Sequence, residues 1–324
     1  MKLVIQIPCL DEAQTLAATL RDLPTGLPGI DEVALVVIDD GSSDGTAEVA
    51  AALGAHVVRL PTTRGLAYAF MSGIEAALAL RADVIVNTDG DNQYRGADVA
   101  HLVMPVIEGN ADIVIGVRPI ADMPGFSRTK KALQRAGSWV VRRLSGANVG
   151  DATSGFRAYS REAALQLGVF SRYTYTLETI VQAVQRGLRI VSVPVRVNRV
   201  DRPSRLARSN AQYVWRAGTG LARMFVVYRP FRFFVVPAVV AIAAALALVL
   251  RFGWLFVESG GEGGHLQSLV VAAMLFGVGG ALIVVALLGD LLAINRRLLE
   301  ELRLEGRRRR FDANSNSRFD GDRP

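Results

Sequence analysis

Two long uncharged stretches near the C-terminus limit what this chain can fold into more than any other feature. The first covers residues 233–250 and the second covers residues 266–289, with 18 and 24 uncharged, mostly apolar residues. A helix needs about 20 predominantly apolar residues to cross the hydrocarbon core of a bilayer. The sequence therefore predicts a two-helix transmembrane hairpin within residues 232–295, although a buried helix pair of a soluble protein is the alternative.

The charges around these stretches predict the orientation of the hairpin. Arginine flanks both of them, at Arg229, Arg232, Arg296 and Arg297. The turn between them, residues 258–265, is rich in Gly and contains no Lys or Arg. Because Lys and Arg are enriched on the cytoplasmic side of membrane helices, we expect a multi-pass protein of the cell membrane with residues 1–232 in the cytoplasm. The exposed faces of such a hairpin could also support a homo-oligomer.

Arginine supplies nearly all of the positive charge. The 324 residues carry a net charge of +7, and only three of the 37 basic residues are Lys. Residues 118–143 contain seven basic residues and one acidic residue, and residues 196–232 contain nine Arg and one acidic residue. A guanidinium group matches the geometry of phosphate oxygens, although Arg-rich codon usage is the alternative. Since no nucleic-acid-binding motif interleaves these clusters, we expect no nucleic-acid partner.

Residues 201–231 are predicted to form juxtamembrane amphipathic helices. Apolar and aromatic residues recur at helical spacing between Tyr213 and Tyr228, with Arg side chains off that face. Helices of this kind lie in the plane of the membrane interface. Arg202 and Arg205 either anchor the chain to anionic lipids or also close over a lipid phosphate. Residues 296–324 are expected to form a basic, disordered cytoplasmic tail at the membrane surface.

Residues 1–200 alternate short β-rich runs with helical stretches, which predicts an α/β domain with a mostly parallel sheet covered on both faces. The predicted strands are Leu3–Pro8, Val33–Asp39, His56–Leu60, Asp83–Thr88 and Asp112–Ile115. The predicted helices are Ala13–Leu23, Thr46–Leu53, Leu66–Leu80 and Ala97–Glu108. The single cysteine, Cys9, excludes a disulfide framework and a cysteine-based zinc site.

Polar clusters follow three of these strands, at the edge where such sheets bind ligands. In the cluster after the second strand, Asp44 is expected to cap the next helix, whereas Asp39 and Asp40 are suited to accept hydrogen bonds from a nucleobase or ribose. After the fourth strand, Asp89 and Asp91 stand two residues apart with an amide nearby. Two carboxylates so spaced predict a site for Mg²⁺ or Mn²⁺, and a simple polar turn is the alternative.

The motifs occur in the order Pro8-x-x-x-Glu12, Asp39-Asp-Gly-Ser-x-Asp-Gly-Thr46, Asp89-x-Asp91-x-Gln93, Gly116-x-Arg118 and Ser154-Gly-Phe-Arg157. This series, followed by a membrane hairpin, resembles the family 2 glycosyltransferases with the Rossmann-like GT-A fold. It is most similar to their polyprenyl-phosphate glycosyltransferases, the dolichyl-phosphate mannose synthase group.

The resemblance implies which residues hold the donor. Nucleotide contacts are implied for Pro8, Asp11, Glu12, Asp40 and Asp89. Binding of the metal and the diphosphate is implied for Asp89, Asp91 and Gln93. Leu10-Asp11 stands where the family usually has Tyr-Asn, so the choice between a UDP-sugar and a GDP-sugar stays open.

The implied activity is the inverting transfer of one sugar from a nucleotide-sugar to polyprenyl phosphate of the undecaprenyl or dolichyl type. A phosphate monoester has a second pKa of about 6, so at neutral pH it is a nucleophile that needs no general base, and cations should dominate the site. The predicted catalytic residues are Asp91, Arg118, Arg135 and Asp151, and the predicted acceptor-phosphate ligands are Arg118, Arg135, Arg202 and Arg205.

Each of these roles has an alternative. Arg118 could form a surface salt bridge, another basic residue of the 128–143 segment could replace Arg135, and Asp151 could cap a loop. Glu178 could bond sugar hydroxyl groups or belong to its helix. At the level of function, the alternatives are a processive polysaccharide glycosyltransferase and a non-catalytic nucleotide-sugar-binding membrane scaffold. No Gln-x-x-Arg-Trp acceptor motif occurs, which argues against the first, and the intact Asp89-x-Asp91-x-Gln93 motif argues against the second.

Overall fold

The computed structural model describes residues 1–119, 149–169, 175–198, 230–260 and 266–316, together with single residues at 142, 146, 219 and 226. The chain forms two compact units, each described by itself below. The first consists of Met1–Asn210 and Leu304–Pro324, and the second consists of Ala211–Arg303.

The described part of the first unit is built on one mixed sheet. Its strands are β1 (Lys2–Cys9), β2 (Glu32–Asp39), β3 (His56–Arg59), β4 (Val84–Asn87), β5 (Ile113–Val117), β6 (Arg157–Ser160) and β7 (Ile190–Pro194). Its helices are α1 (Ala13–Asp22), α2 (Thr46–Ala52), α3 (Leu66–Ala79), α4 (Val99–Ile107), α5 (Arg161–Gln166) and α6 (Thr176–Gln185). All five strands predicted from the sequence are confirmed to within two residues at each end; β6 and β7 were not predicted.

The strand order is β3-β2-β1-β4-β6-β5-β7. Neighbouring strands are parallel except around β6, which runs antiparallel to both β4 and β5. The prediction of a mostly parallel α/β sheet is therefore confirmed. The reversal of β6 also has a consequence for the site, because it brings the amino end of this strand to the edge where the other strands have their carboxyl ends.

Helices on both faces explain why the central strands are apolar along their whole length. In β1 every residue from Leu3 to Cys9 is buried. On one face, Leu3, Ile5 and Ile7 belong to a core cluster that includes residues of α1 and α4. On the other face, Gly73 of α3 leaves no room for a side chain beside Gln6. Burial on both faces is typical of parallel strands with helical crossovers.

The C-terminal residues of the first unit pack against α5. The guanidinium group of Arg307 is buried, and its Nη1 atom donates to the carbonyl oxygens of Ala164, Leu165 and Leu167 at 3.3, 2.7 and 2.7 Å. These carbonyls lie at the carboxyl end of α5, where a helix leaves its last acceptors without partners. Residues 296–316 are helical, so the expected disordered tail is wrong for this part of it. The helix continues because residues 296–305 consist of Arg, Leu and Glu, which favour helix, and residues 296–316 contain no Pro and a single Gly, Gly306.

The second unit contains α7 (Pro230–Glu258) and the part of α8 (Leu266–Asn316) that ends at Arg303. Both helices are long and apolar enough to cross a membrane. Small residues bring them close: a Cβ atom at Gly279 would lie 3.2 Å from the carbonyl oxygen of Ala238, and one at Gly289 would lie 2.7 Å from Cβ of Pro230. Close approach at Gly and Ala is typical of helix pairs in membranes.

Candidate active site

The three acidic motifs meet at one edge of the sheet. The carboxyl ends of β1, β2 and β4 lie side by side there, because these strands are parallel neighbours. The amino end of β6 joins them, since Arg157 pairs with Asn87 at the end of β4. We call this the site edge. The segment Ser154-Gly-Phe156, which immediately precedes β6, is thereby placed beside the Asp89 motif, although the two are more than 60 residues apart in sequence.

The segments after β1 and β2 are tied to each other by hydrogen bonds. Asp11, in the left-handed region at φ 52°, donates its N–H to Oγ of Ser42 at 2.9 Å, and its Oδ1 accepts the N–H of Ser43 at 2.9 Å. Asp44 accepts the N–H groups of Ala13 and Thr46, the first residues of α1 and α2. The prediction that Asp44 satisfies helix N–H groups is confirmed, and it serves two helices rather than one.

Asp39 and Asp40, which the sequence suggests as acceptors for a nucleobase or ribose, accept hydrogen bonds from within the protein. The carboxylate of Asp40 accepts the N–H groups of Arg64 and Gly65, just before α3, at 2.7 and 2.8 Å. That of Asp39 accepts the N–H of Ser42 at 2.8 Å and Nε of Arg59 at 3.3 Å. Both carboxylates therefore organise the loops at the site edge, and nucleotide binding by Asp40 stays a prediction. The other nucleotide residues lie at this edge as well, with Pro8 buried in β1 and Glu12 half-buried just before α1.

Gly90, between the two acidic residues of the third motif, packs against the first motif. A Cβ atom at this position would lie 2.7 Å from Sγ of Cys9 and 3.5 Å from Cγ of Glu12. The carbonyl oxygen of Gly90 accepts the hydroxyl groups of Thr15 and Thr19 from α1, at 2.9 and 3.1 Å. Glycine is required here because the two loops approach more closely than any side chain allows.

The environment of Asp89 disfavours the ionised form of its carboxyl group. The dense packing around it, followed by the negative charge of Asp91, raises its pKa from 3.8 to about 7, although Arg118 opposes the rise. Oδ1 of Asp91 accepts the N–H of Gln93 at 3.1 Å, which fixes the turn of the motif. The carboxylates of Asp89 and Asp91 repel each other, and a cation would relieve this repulsion. Together with the amide of Gln93, they offer the oxygen ligands and the negative charge that suit a divalent metal ion.

Arg118 and Asp151, both predicted to be catalytic, form a buried ion pair with each other. Nε and Nη2 of Arg118 donate to the two carboxylate oxygens at 2.7 and 3.2 Å, and Nη2 also donates to Oγ1 of Thr153 at 2.9 Å. The side chain of Asp151 is fully buried, and that of Arg118 is 11 % exposed. Burial opposes ionisation of Asp151, but Arg118 holds its pKa below the ordinary value. Arg118 thus forms a salt bridge, but a buried one and not the surface salt bridge considered from the sequence. Asp151 also accepts the N–H of Thr153, as in the loop-cap alternative. The catalytic roles of both residues stay predictions.

Arg157, the last residue of the Ser154-Gly-Phe-Arg157 motif, is a buried residue that organises the site edge. It is fully buried, and it donates to the carbonyl oxygens of Ala152, Ser154 and Thr176 at 2.8 to 2.9 Å. It also donates to Oγ1 of Thr179 at 2.8 Å. The loop that carries Asp151 is therefore fastened to the start of α6. Its position directly after Ser154-Gly-Phe156 is the only sequence signal that could have suggested this role.

The remaining predicted site residues divide between two groups. Arg135, Arg202 and Arg205 lie outside the described residues. Glu178 is buried in the first turn of α6, in keeping with the interpretation that it belongs to its helix.

A mixed α/β sheet with acidic motifs along its site edge is the architecture of glycosyltransferases with the GT-A fold. Residues 4–168 match the model of glycosyl transferase family 2. The chain belongs to this family.

Relatives and solved structures agree with this assignment. Undecaprenyl-phosphate mannosyltransferase of Micrococcus luteus is 31% identical over 206 residues, which cover 60% of this chain and 83% of that protein. Polyprenol monophosphomannose synthase of Mycolicibacterium smegmatis is 26% identical over 204 residues, 59% of this chain and 76% of that protein. The fold is similar to glucosyl-3-phosphoglycerate synthase from Mycobacterium tuberculosis, crystallised with Mn²⁺, UDP-glucose and phosphoglyceric acid, with a TM-score of 0.56 and 23% identity over 68% of this chain and 80% of that one.

Proposed function

We propose that this glycosyltransferase transfers a single sugar from a UDP- or GDP-sugar to polyprenyl phosphate at the cytoplasmic face of the membrane. The observation that carries the proposal is the meeting of the three acidic motifs at one sheet edge, beside the β6 segment. The 31% identity to a protein named undecaprenyl-phosphate mannosyltransferase supports the acceptor. Two apolar helices long enough to span a bilayer support a membrane-embedded substrate.

The donor is held, in this proposal, by the first two motifs and by a divalent metal ion. Asp89 and Asp91 supply carboxylate oxygens to Mg²⁺ or Mn²⁺, with Gln93 beside them. No three His, Cys, Asp or Glu side chains among the described residues cluster as a protein-only metal site, so the donor phosphates would complete the coordination. The ion would neutralise charge on the departing nucleoside diphosphate.

The acceptor reacts without a general base. An oxygen of the phosphate dianion attacks the anomeric carbon, and the bond from that carbon to the donor phosphate breaks, which inverts the configuration and releases the nucleoside diphosphate. Binding of the acceptor phosphate is assigned to Arg135, Arg202 and Arg205. Arg118, already paired with Asp151, contributes positive charge near Asp89 and positions the loop that carries Asp151.

The test uses the full-length chain in detergent or nanodiscs. With Mn²⁺ or Mg²⁺, polyprenyl phosphate and a panel of labelled UDP- and GDP-sugars, we expect one donor to give a lipid-linked sugar. Asp91→Ala should reduce the rate by at least about 100-fold, the magnitude typical of removing a major transition-state interaction. Asp31→Ala is the matched control, because Asp31 lies at the opposite edge of the sheet, where its N–H donates to the carbonyl oxygen of Met1. Product formation by Asp91→Ala at the wild-type rate would refute the metal assignment, and absence of product with every donor would refute the acceptor.

A further inference from the structure

A buried polar network lies directly behind the Asp89 motif, and its central residue belongs to none of the sequence motifs and takes no part in the proposed reaction. Its centre is Asn87, the last residue of β4, which is fully buried. Oδ1 of Asn87 accepts Nε2 of Gln6 at 2.9 Å. Nδ2 donates to the carbonyl oxygen of Gly155 at 2.8 Å and to the hydroxyl oxygen of Tyr175 at 3.0 Å. The amide of Asn87 thus bonds to three segments of the chain at once.

The network requires a physical explanation because apolar residues would be the default at these positions. Gln6 and Asn87 are neighbours in register on the parallel strands β1 and β4, inside a sheet covered on both faces. Burying an amide stabilises a fold only when its donors and acceptors find partners. Both N–H donors of the Asn87 amide are used, and their acceptors lie at the site edge and not within the sheet. The pair therefore specifies an arrangement at that edge rather than adding to the core.

One partner of Asn87, Gly155, borders Asp89, and the hydroxyl group of the other, Tyr175, lies beside Gly155 as well. A Cβ atom at Gly155 would lie 2.8 Å from the hydroxyl oxygen of Tyr175 and 3.1 Å from Oδ1 of Asp89. The backbone of Gly155 is thus wedged between that hydroxyl group and that carboxylate. The ring of Tyr175 is itself held by stacking on Phe70 of α3, with ring centroids 4.0 Å apart. Gly155, which borders Asp89, and the Tyr175 hydroxyl group beside it are therefore both tied to Asn87.

We propose that Asn87 is a positioning residue for the metal-binding carboxylate, acting through Gly155 and Tyr175. Its two donated hydrogen bonds fix the segment before β6 and the start of α6 against Asp89, so that the carboxylate keeps one orientation towards the cation. This inference rests on the proposed function only for the presence of the metal ion, and not for the identity of the acceptor.

The experiment measures metal binding directly, by electron paramagnetic resonance of Mn²⁺ titrated into the full-length chain with UDP and, in separate samples, with GDP. Tyr175→Phe removes the hydroxyl group that Asn87 bonds and leaves the stacking ring. We expect it to weaken Mn²⁺ binding by roughly threefold, the low end of the net contribution of one hydrogen bond. Asn87→Ala should weaken it by roughly tenfold, the low end of the range found when groups behind metal ligands are changed. Thermal unfolding of each variant shows whether it folds.

The chain offers a matched control in the same aromatic cluster. Tyr159 is also fully buried and also contacts Phe70, at 5.8 Å between ring centroids, but it lies outside the Asn87 network. Tyr159→Phe should leave Mn²⁺ binding within twofold of wild type. The proposal is wrong if Tyr175→Phe binds Mn²⁺ as wild type does, if Tyr159→Phe weakens binding equally, or if the wild-type chain binds no Mn²⁺ with either nucleotide.

Two outcomes separate this inference from the proposed function. A wild-type chain that forms no lipid-linked sugar, yet shows the difference between Tyr175→Phe and Tyr159→Phe, refutes the acceptor and supports the positioning role. A chain that forms the product but shows no difference between the two variants refutes the positioning role alone.

Discussion

The raised pKa of Asp89 predicts that this residue destabilises the metal-free fold, and that Asp89→Asn removes this effect. The carboxyl group titrates at about 7 in the folded chain and at an ordinary value of 3.8 in the unfolded chain. The folded state therefore binds the proton more tightly than the unfolded state. Between these two pKa values, stability must increase as the pH falls.

The magnitude follows from the size of the shift. One pKa unit corresponds to about 1.4 kcal/mol, so a shift of three units lowers the free energy of unfolding by at most about 4 kcal/mol at pH 8. Between pH 8 and pH 7 both states are ionised and the penalty is nearly constant. From pH 7 to pH 6 the folded state becomes protonated and the unfolded state stays ionised, so the penalty falls by about 1.4 kcal/mol. Well below pH 3.8 both states are protonated and the penalty vanishes. Asparagine at position 89 carries no charge and has no such dependence.

Thermal and chemical unfolding of the full-length chain with EDTA, at pH 8 and pH 6, measures this directly. The stability difference between Asp89→Asn and wild type should shrink by about 1.4 kcal/mol between the two pH values. Comparing the two differences cancels any change in packing that asparagine introduces. Mn²⁺ with nucleotide should stabilise wild type at pH 8 and leave the variant unchanged. A difference that is the same at both pH values would show that Asp89 is ionised throughout, and the electrostatic reasoning would be refuted.

Two further predictions concern arginines that bond within the protein. Arg118→Ala and Asp151→Ala should each lower the free energy of unfolding by about 3 kcal/mol, because each leaves one charge buried without its partner, and a double-mutant cycle in urea should show that the two effects are not additive. Additive effects would contradict the pairing. Arg307→Ala should speed amide hydrogen exchange in residues 161–167, because the carbonyls at the end of this segment lose their donor. Arg309→Ala, at an exposed position of the same helix, should not change this exchange. Equal exchange in the two variants would exclude a docking role for Arg307.

Much of the sheet could be predicted because its signals are local. An apolar run of four to eight residues followed by a polar turn is enough to place β1, β2 and β4, and the parallel arrangement follows from the helices between them. β6 and β7 were not predicted, and β6 lacks an apolar pattern: Arg157-Ala-Tyr-Ser160 contains a charge and two hydroxyl groups. Its antiparallel direction depends on which strands accept it as a neighbour, and that is a tertiary property.

The residues of the candidate site could be predicted from the sequence, but the hydrogen bonds that they form could not. Polar residues at the ends of parallel strands must share one edge, so Glu12, Asp40 and Asp89 could be grouped from their spacing alone. Whether a carboxylate faces a ligand or the protein is decided by N–H groups from elsewhere in the chain. Asp40 shows this, because its partners lie 24 and 25 residues further on. Local rules describe caps within a few residues, and they have no means of detecting such a bond.

The arginines show that the same limit applies to predictions made from charge. Sequence alone treats each Arg as a cation at the surface, and the excess of 34 Arg over three Lys invites an interpretation in terms of phosphate binding. Arg157 and Arg307 contradict it individually, since both are buried and donate to main-chain carbonyl oxygens. A guanidinium group suits this role because its five donors can serve several carbonyls at once, which a Lys ammonium group on a flexible chain does less well. Replacement of either arginine by Lys should therefore destabilise the fold while keeping the charge, which separates a structural role from electrostatic attraction to an anionic substrate.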